Sequence, residues 1–345
     1  AGGQARTDMG AYIIRRLLLI IPTLIGIMVV TFFISLVVPL DPLASIAGPQ
    51  APQETVDRLR ILYGFDQPIY VQFGRYMNRL LHGDLGTSFQ TGRPVLEDIL
   101  QYFPATIELA TLSLIISIIV GIPLGILSAV YRNSPIDHFS RVLSLIGVSM
   151  PVFWLGLVLL LIFYFKLGWF PEPGRLDIML IEPQRVTGLL LVDSILALDW
   201  EVFWDALKHM ALPATVLGLY GLAGIARIVR SSMLDVLSQE YIKTARIKGL
   251  NEFLVLTRHA LRNALVPAVT VIGLTYGGLL EGSVLTETIF AWPGLGRYLA
   301  TAFLTLDLNA VVGGTMLVAL TFSLANLAVD LVYAFLNPKI TLTES

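Results

Sequence analysis

The chain has 345 residues, of which 55% are hydrophobic and only 14% are charged, and its formal net charge is −2. Average soluble domains carry about 25% charged residues, so this composition excludes an ordinary water-soluble domain and favours a protein whose solvent is lipid. The near-neutral charge gives no support for nucleic-acid binding, and the lack of cysteine excludes disulfides and thiolate metal sites.

The N-terminal region begins with AGGQARTD before Met9, and we interpret residues 1–11 as a disordered leader or an added remnant. Arg15 and Arg16 then precede the charge-free run Leu17–Leu40. The apolar part of a cleavable signal has only about 7–15 residues. The longer run therefore predicts a first transmembrane helix within residues 12–40.

Six charge-free runs are close to the length that a transmembrane helix needs, which is about 20 apolar residues. The runs are Leu17–Leu40, Leu109–Tyr131, Val142–Phe165, Met210–Ala226, Asn263–Leu280 and Leu308–Val329. The sequence therefore predicts an all-α membrane protein with six transmembrane helices.

Proline and glycine give further detail inside these spans. Pro123 and Pro151 are predicted to bend or break their helices, because proline lacks an amide donor. The pairs Gly121/Gly125 and Gly273/Gly277 have the spacing that favours close packing between helices. A role as hinges or pore walls is the alternative for these glycines.

The connections between spans predict the orientation. Residues 41–104, with a helix over Glu54–Leu62, and the acidic, aromatic segment 166–209 fall on one side of the membrane. Without the long first loop, that side carries five basic residues, whereas the side with both termini carries 13. Because Lys and Arg are enriched in cytoplasmic loops, both termini are predicted to be cytoplasmic.

The spans offer no source of energy for transport. None of the six runs contains Asp, Glu, Lys, Arg or His, whereas ionisable groups inside spans mark proton and ion pathways. The chain also lacks the Gly-Lys pair of a Walker A loop and any HExxH or GxSxG motif. We therefore predict no catalytic residue and no metal site, and expect the work to come from a partner.

The basic loop after the fourth span could receive that work. Ser238 is predicted to cap a short helix over residues 239–248, which Gly249 would end. Ile242, Ala245 and Gly249 share one narrow apolar face of this helix. Such a helix could dock into a groove of a partner protein or lie on anionic lipid at the inner leaflet, and its residues alone favour neither.

The same loop resembles the cytoplasmic loop of binding-protein-dependent ABC importer permeases, which has the form Glu-Ala-Ala, three residues, then Gly. The matching positions here are Lys243, Thr244 and Ala245 before Gly249, so the Glu and the first Ala are absent. The peptide-permease branch shares this departure, with loops like YIKTARIKGL. The resemblance implies a coupling helix that sits in a cleft of an ATPase subunit. Its residues would be Glu240, Tyr241, Ile242, Lys243, Thr244, Ala245, Arg246, Lys248 and Gly249.

Four more segments resemble the dipeptide/oligopeptide (peptide/nickel) branch of this family. They are GDLGTSF at Gly83–Phe89, SMPVFW at Ser149–Trp154, LTETIFAWPGLGR at Leu285–Arg297 and DLVYAFLNPKI at Asp330–Ile340. The long connection 166–209 is similar to that of dipeptide permease B subunits. The resemblance implies the type I ABC importer permease fold, with its core at residues 105–336, a cytoplasmic tail at 337–345 and a place in the bacterial inner membrane.

The resemblance also implies partners. They are a second homologous permease subunit, two ATPase subunits that bind ATP and magnesium, an extracytoplasmic binding protein, a peptide substrate and membrane lipid, but no nucleic acid. This chain would bind no cofactor and catalyse no reaction. Other cargoes of the class are nickel complexes, glutathione and haem. A self-sufficient channel or secondary transporter is the alternative function.

A translocation path is predicted from polar or adaptable residues among the apolar runs. Glu108 and Glu281, at span edges, are either interfacial anchors or groups at a pore mouth. The segment Ala291–Gly296 is predicted to be a turn, with contact to a binding protein as the alternative. The predicted path residues are Ser149, Met150, Thr275, Tyr276 and Glu281.

Overall fold

The computed structural model describes residues 2–37 and 51–336, and all regular elements within these ranges are helices. In chain order the α-helices are α1 (Gly2–Val37), α2 (Gln53–Tyr63), α3 (Ile69–Leu81), α4 (Val95–Val130), α5 (Pro135–Ser149), α6 (Val152–Leu159), α7 (Leu190–Leu196), α8 (Trp200–Leu237), α9 (Glu240–Ile247), α10 (Glu252–Leu254), α11 (Arg262–Ile289), α12 (Leu295–Leu304) and α13 (Leu308–Leu336). Two π-helical segments continue them: Leu160–Lys166 follows α6, and Val255–Leu261 joins α10 to α11. The predicted all-α fold is confirmed.

Some predicted segments fall differently in the structure. The residues interpreted as a leader belong to α1 from Gly2 onward, rather than lying outside a helix. The helix predicted over Glu54–Leu62 is α2. The first residues of the connection 41–104, up to 50, and the tail 337–345 lie outside the described residues, as does the end of the last family-like segment.

Within the described ranges, five helices are long and apolar enough to cross a membrane, and a bent pair brings the number to six if it counts as one span. The five are Tyr12–Ile34, Val95–Val130, Trp200–Leu237, Glu252–Ile289 and Leu308–Leu331. The pair is Pro135–Ser149 and Val152–Lys166, which meet at 110° where the third span was predicted.

Proline explains where the bent pair begins and breaks. Ser134 caps α5 and Pro135 takes its first helical position, where a missing amide hydrogen costs little. Pro151 lies in the break between α5 and α6, as predicted. Pro123, in contrast, lies inside the continuous α4, so the predicted break does not occur there.

The long helices run between two ends of the molecule. We call the end where α4 and α8 finish, and where α9 lies, the basic end. The opposite end, where α4 and α8 begin and which carries the connections 82–94, 167–199 and 290–307, is the acidic end. The beginning of α1 lies beside the end of α13, because the Tyr12 hydroxyl donates to Asp330 Oδ2 at 2.9 Å and Arg16 lies 3.1 Å from the same oxygen.

Glycines allow the long helices to approach closely. Gly125 of α4 faces α8, and a Cβ atom there would lie 2.7 Å from the carbonyl oxygen of Ala226. One turn earlier, Gly121 packs against Ile225. From the other side, a Cβ on Gly218 of α8 would lie 2.9 Å from a carbonyl oxygen of α4. The predicted close packing of the first glycine pair is confirmed.

The second predicted glycine pair packs in the same way. Gly273 of α11 lies against the side chain of Val329 on α13, and Gly277 lies against Phe322. A Cβ on Gly273 would overlap Val329, and one on Gly277 would lie 3.1 Å from the Phe322 ring, so these glycines allow α11 and α13 to pack closely.

Candidate functional site

The helix predicted in the basic loop is present as α9, but its apolar stripe faces inward. Ile242 is 0% exposed and Ala245 is 7% exposed, and both lie in a cluster with Val229 and Met233 of α8 and with Val255. The expectation that this stripe docks on a partner is therefore wrong, since the chain's own core covers it. The stripe anchors α9 to α8 and to the start of the next span.

The end of α9 agrees with the prediction. Gly249 has a φ of +78°, a left-handed conformation that suits glycine. Its N–H donates to Arg246 O at 2.9 Å, and the next N–H, of Leu250, donates to Ala245 O at 3.4 Å. This pair of bonds satisfies the last carbonyls of the helix and stops it.

The start of α9 differs from the prediction. Ser238 Oγ donates to the carbonyl oxygen of Asp235 at 2.7 Å, and the cap position belongs to Gln239, which makes no capping bond with its side chain. The hydroxyl of Ser238 satisfies a carbonyl at the end of α8 rather than an N–H at the start of α9, because the two helices follow each other with almost no connection.

The opposite side of α9 is open. Ile247 is 86% exposed, Tyr241 is 43% exposed, and Phe253, just beyond the helix, is 74% exposed. Polar and charged side chains surround these apolar ones. We define the α9 surface as Tyr241, Lys243, Thr244, Ile247, Lys248 and Phe253, all of which are exposed.

Hydrogen bonds and ion pairs fix the side chains at the edge of the α9 surface. Arg246 donates to both carboxylate oxygens of Glu252, at 2.6 and 3.1 Å, and this bond raises the pKa of Arg246. Lys243 pairs with Glu240 at 2.7 Å. The Asn263 amide donates to the Tyr241 hydroxyl at 2.8 Å and so joins the surface to α11.

A buried carboxylate fastens three helices at the basic end. Asp137 of α5 is 0% exposed and accepts two hydrogen bonds from Arg230 of α8, at 2.8 and 3.1 Å. Arg141 donates to it at 3.2 Å, Ser128 of α4 at 2.6 Å and the Asn133 N–H at 2.9 Å. The sequence analysis missed this cluster, because its two main partners are 93 residues apart.

A second buried carboxyl organises the acidic end. Glu287 of α11 is 0% exposed and accepts hydrogen bonds from Thr106 Oγ1 at 2.7 Å and from the Arg297 N–H at 2.9 Å. Gly294 and Gly296 lie so close to this carboxyl that a Cβ on either would overlap it. The predicted turn before α12 is confirmed, and its glycines make room for Glu287.

Glu108 holds the connection 167–199 against α4. Its carboxylate lies 2.7 Å from Arg175 and accepts the Leu191 N–H at 2.6 Å. Arg175 also donates to Gly188 O at 3.0 Å and stacks over the Trp292 ring at 5.8 Å. Glu108 is thus buried in an internal contact, and both roles predicted for it, interfacial anchor and pore-mouth group, are wrong.

The segment GDLGTSF is part of the same acidic end. Ser88 Oγ donates to Asp307 Oδ2 at 2.6 Å, and the Gln90 N–H donates to the same oxygen at 3.2 Å. The other oxygen of Asp307 accepts the Ala310 N–H at 3.2 Å, in the first turn of α13. This family-like segment therefore has a structural role, which is to fix the chain before α4 to the start of α13.

Two predicted path residues serve helix packing. Thr275 packs against Gly221 of α8. The contact is so close that a Cβ atom at Gly221 would lie 2.8 Å from the Thr275 methyl group. The Tyr276 hydroxyl lies 3.1 Å from Thr111 Oγ1 of α4. Both side chains are thus directed at neighbouring helices of this chain.

The other predicted path residues remain accessible. Ser149 is exposed and Met150 is half-buried at the break between α5 and α6. Glu281 is exposed on α11 and lines a 220 Å³ cavity bordered by α4, α12 and α13. For these three residues the translocation path stays a prediction. The part of the chain that the structure describes has no group of three or more His, Asp or Glu that could hold a metal ion.

Comparison with known proteins gives consistent matches. Residues 121–342 match the family of the binding-protein-dependent transport system inner membrane component, and residues 9–110 match the N-terminal family of the same membrane component. The probable D,D-dipeptide transport system permease protein DdpB of Escherichia coli (strain K12) is 49% identical over 91% of this chain and 93% of the relative.

Two further relatives cover nearly the whole chain. The dipeptide transport system permease protein DppB of Alkalihalophilus pseudofirmus is 45% identical, over 96% of this chain and 99% of the relative. The di/tripeptide transport system permease protein DppB of Pseudomonas aeruginosa is 44% identical, again over 96% and 99%.

Proposed function

The chain belongs to the family of binding-protein-dependent transport system inner membrane components, and we propose that it forms half of the translocation pathway of an ATP-driven importer for di- or oligopeptides. The three relatives are named as permease proteins for D,D-dipeptides, dipeptides and di- or tripeptides. The helical fold, whose described part holds five spans or six counting the bent pair, suits a multi-pass permease.

The geometry of α9 carries the proposal for coupling. Ile242 and Ala245 fix the helix to a core that contains residues of α8 and α11, while Ile247 and Tyr241 stay open. A partner that binds the α9 surface would therefore move both spans with it. We infer that an ATPase subunit, the site of ATP and magnesium binding, is this partner. Exposed apolar side chains within a polar border are typical of such contacts.

This role assigns different tasks to the predicted coupling residues. Tyr241, Lys243, Thr244 and Lys248 would contact the ATPase, together with Ile247, which the sequence prediction did not include. Glu240 and Arg246 hold the borders through ion pairs. Ile242, Ala245 and Gly249 set the position and the end of the helix.

Binding of an ATPase subunit at the α9 surface also determines the orientation in the membrane that we propose. The basic end, with α9, would face the cytoplasm and the two ATPase subunits, in agreement with the excess of Lys and Arg there. The acidic end would face an extracytoplasmic binding protein that delivers peptide. A second, homologous permease subunit would complete the pathway.

The absence of cysteine from this chain allows a clean test of coupling. Ile247→Cys places one thiol on the α9 surface, and Ile178→Cys, at an 83% exposed position of the acidic end, is the matched control. After reaction with a photoactivatable maleimide in the assembled complex, position 247 should cross-link to an ATPase subunit and position 178 should not. An intact complex in which position 247 reaches only lipid would contradict the proposal.

The same two variants test the orientation. A membrane-impermeant maleimide added to intact cells whose outer barrier is opened should label position 178 but not position 247. The opposite pattern would reverse the assignment of the two ends.

A further inference from the structure

A cavity of 620 Å³ lies between α5 and α8 at the basic end. Three arginines line it, namely Arg141 of α5 and Arg227 and Arg230 of α8, together with serine and apolar side chains. The cavity is separate from the α9 surface, whose residues do not line it.

The cavity carries excess positive charge. Asp137 accepts hydrogen bonds from Arg230 and Arg141, and no other carboxylate among the described residues forms an ion pair with any of the three arginines. Arg227 is exposed and has no hydrogen-bond or ion-pair partner in the described part of the chain. The arginines and this carboxylate together leave two positive charges uncompensated, so an anion is the fitting ligand.

Two of the arginines are held in place for such a ligand. Asp137 is buried and orients both guanidinium groups, and Ser128 accepts a further bond from Arg230 at 3.0 Å. Each guanidinium has five N–H donors, and the bonds to Asp137, Ser128 and His138 use only some of them. Donors therefore remain for phosphate oxygens, which arginine binds well.

An apolar strip leads away from the cavity. Four large side chains of α5 are more than half exposed, and two of them also line the cavity. The four are Phe139, Val142, Leu145 and Val148. A free inorganic anion would make no contact with this strip. The basic cavity and the apolar strip together therefore favour an amphiphile with an anionic head and a hydrocarbon tail.

We propose that this cavity binds an anionic phospholipid from the leaflet at the basic end, with its phosphate on Arg141, Arg227 and Arg230 and an acyl chain along Leu145 and Val148. Basic pockets between transmembrane helices are suited to anionic head groups. The inference rests on the cavity and the apolar strip of α5, and does not depend on the proposed transport function.

Native mass spectrometry of the purified complex can test this site with phosphatidylglycerol and phosphatidylcholine as probes. The wild-type complex should retain phosphatidylglycerol in preference to phosphatidylcholine. Arg227→Gln should lower phosphatidylglycerol occupancy about fivefold, because one arginine near an anionic head group contributes that much. Arg258→Gln is the matched control, since it removes the same charge from an exposed position at the same end that does not line the cavity.

A second arm separates lipid from free phosphate. Inorganic phosphate at millimolar concentration should not displace the bound phosphatidylglycerol, and Leu145→Gln should weaken lipid binding although it removes no charge. Equal retention of both lipids, equal effects of Arg227→Gln and Arg258→Gln, or displacement by phosphate would overturn the proposal. Loss of the second permease subunit in Arg227→Gln, with lipid binding unchanged, would instead identify the cavity as a subunit interface and overturn it as well.

Discussion

The two ends of this molecule use their charged side chains in opposite ways. At the acidic end Glu287, Asp307 and Glu108 are buried and bonded to distant parts of the same chain. At the basic end the side chains of Lys243 and Glu240 pair in solvent, 57% and 85% exposed. Exposed ion pairs contribute little to stability, about 0–1 kcal/mol, whereas removing one partner of a buried pair costs about 3–5 kcal/mol.

This difference indicates which measurement each end should affect. The acidic end is held together by its own polar groups, so substitutions there should appear as loss of folding. The α9 surface is open, so substitutions there should leave folding intact and appear only in the assembled transporter. Asp137 is the exception at the basic end, because it is buried and joins α4, α5 and α8.

The largest loss of stability is expected from Glu287→Ala. The change leaves the Thr106 hydroxyl and the Arg297 N–H without their acceptor in a buried site. We expect a loss of about 3 kcal/mol or more, since each buried group left without a partner costs about 1–3 kcal/mol and a void adds to this. The measurement is the melting temperature of the detergent-solubilised protein.

Glu281→Ala is the control for this substitution, because Glu281 lies on the same helix but is exposed. It should leave the melting temperature nearly unchanged. Equal shifts in melting temperature for Glu287→Ala and Glu281→Ala would contradict the expectation that buried carboxyl groups at the acidic end stabilise the fold more than exposed ones.

A somewhat smaller effect is expected from Arg175→Ala. The change leaves the buried Glu108 carboxylate with the Leu191 N–H but without its cation, at a cost of about 3 kcal/mol, the lower end of the range for a broken buried pair. Limited proteolysis should then cut the connection 167–199 faster than in the unmodified protein. Arg58→Ala, which breaks an exposed pair with Glu54, should have no such effect, and matching rates in the two variants would argue against a tight contact.

Almost no change in stability, but a large change in coupling, is expected from Ile247→Asp. The side chain is 86% exposed, so the melting temperature should stay close to that of the unmodified protein. ATP hydrolysis stimulated by the peptide-loaded binding protein should fall about tenfold, which corresponds to about 1.4 kcal/mol of lost contact. Stimulation equal to that of the control Ile178→Asp would show that Ile247 has no part in coupling.

The smallest effect concerns pH and the connection 167–199. Burial raises the pKa of Asp193, but hydrogen bonds from Thr187 and Gly188 outweigh it and hold the pKa below its ordinary value of 3.8. The carboxylate therefore stabilises this segment above about pH 4, and the stabilisation is lost as the pH falls further, through the lowered pKa.

Hydrogen exchange, corrected for the intrinsic effect of pH, should show protection of residues 187–196 that declines below this value. In Asp193→Asn the decline should disappear. A decline that persists in this variant would assign the effect to another group.

Much of the fold could be predicted from local sequence signals. The six apolar runs, the break at Pro151 and the end of α9 at Gly249 each depend on residues next to one another, and the structure has all three. The glycine pairs were predictable as well, because their spacing places them on one face of a helix. The span over 252–289 reaches further into the basic loop than the charge-free run, since its first turns contain charged residues but are helical.

The buried ion pairs could not be predicted from the sequence. Glu108 and Arg175 are 67 residues apart, and hydrophobic periodicity carries no information about which polar groups meet. The stripe of α9 shows a related limit. Periodicity indicated that Ile242 and Ala245 form one face that would be covered, but it could not distinguish cover by a partner from cover by the chain's own core.

The length of α8 has a mechanical consequence. The helix has 38 residues and is continuous through Pro213, which at 1.5 Å per residue makes it about 57 Å long. It begins beside the connection 167–199 and ends where α9 starts. Treated as a stiff rod of about 57 Å, it would convert a tilt of about 5° at one end into a displacement of about 5 Å at the other. A small rotation imposed at the basic end would thus arrive at the acidic end as a movement on the scale of one side chain.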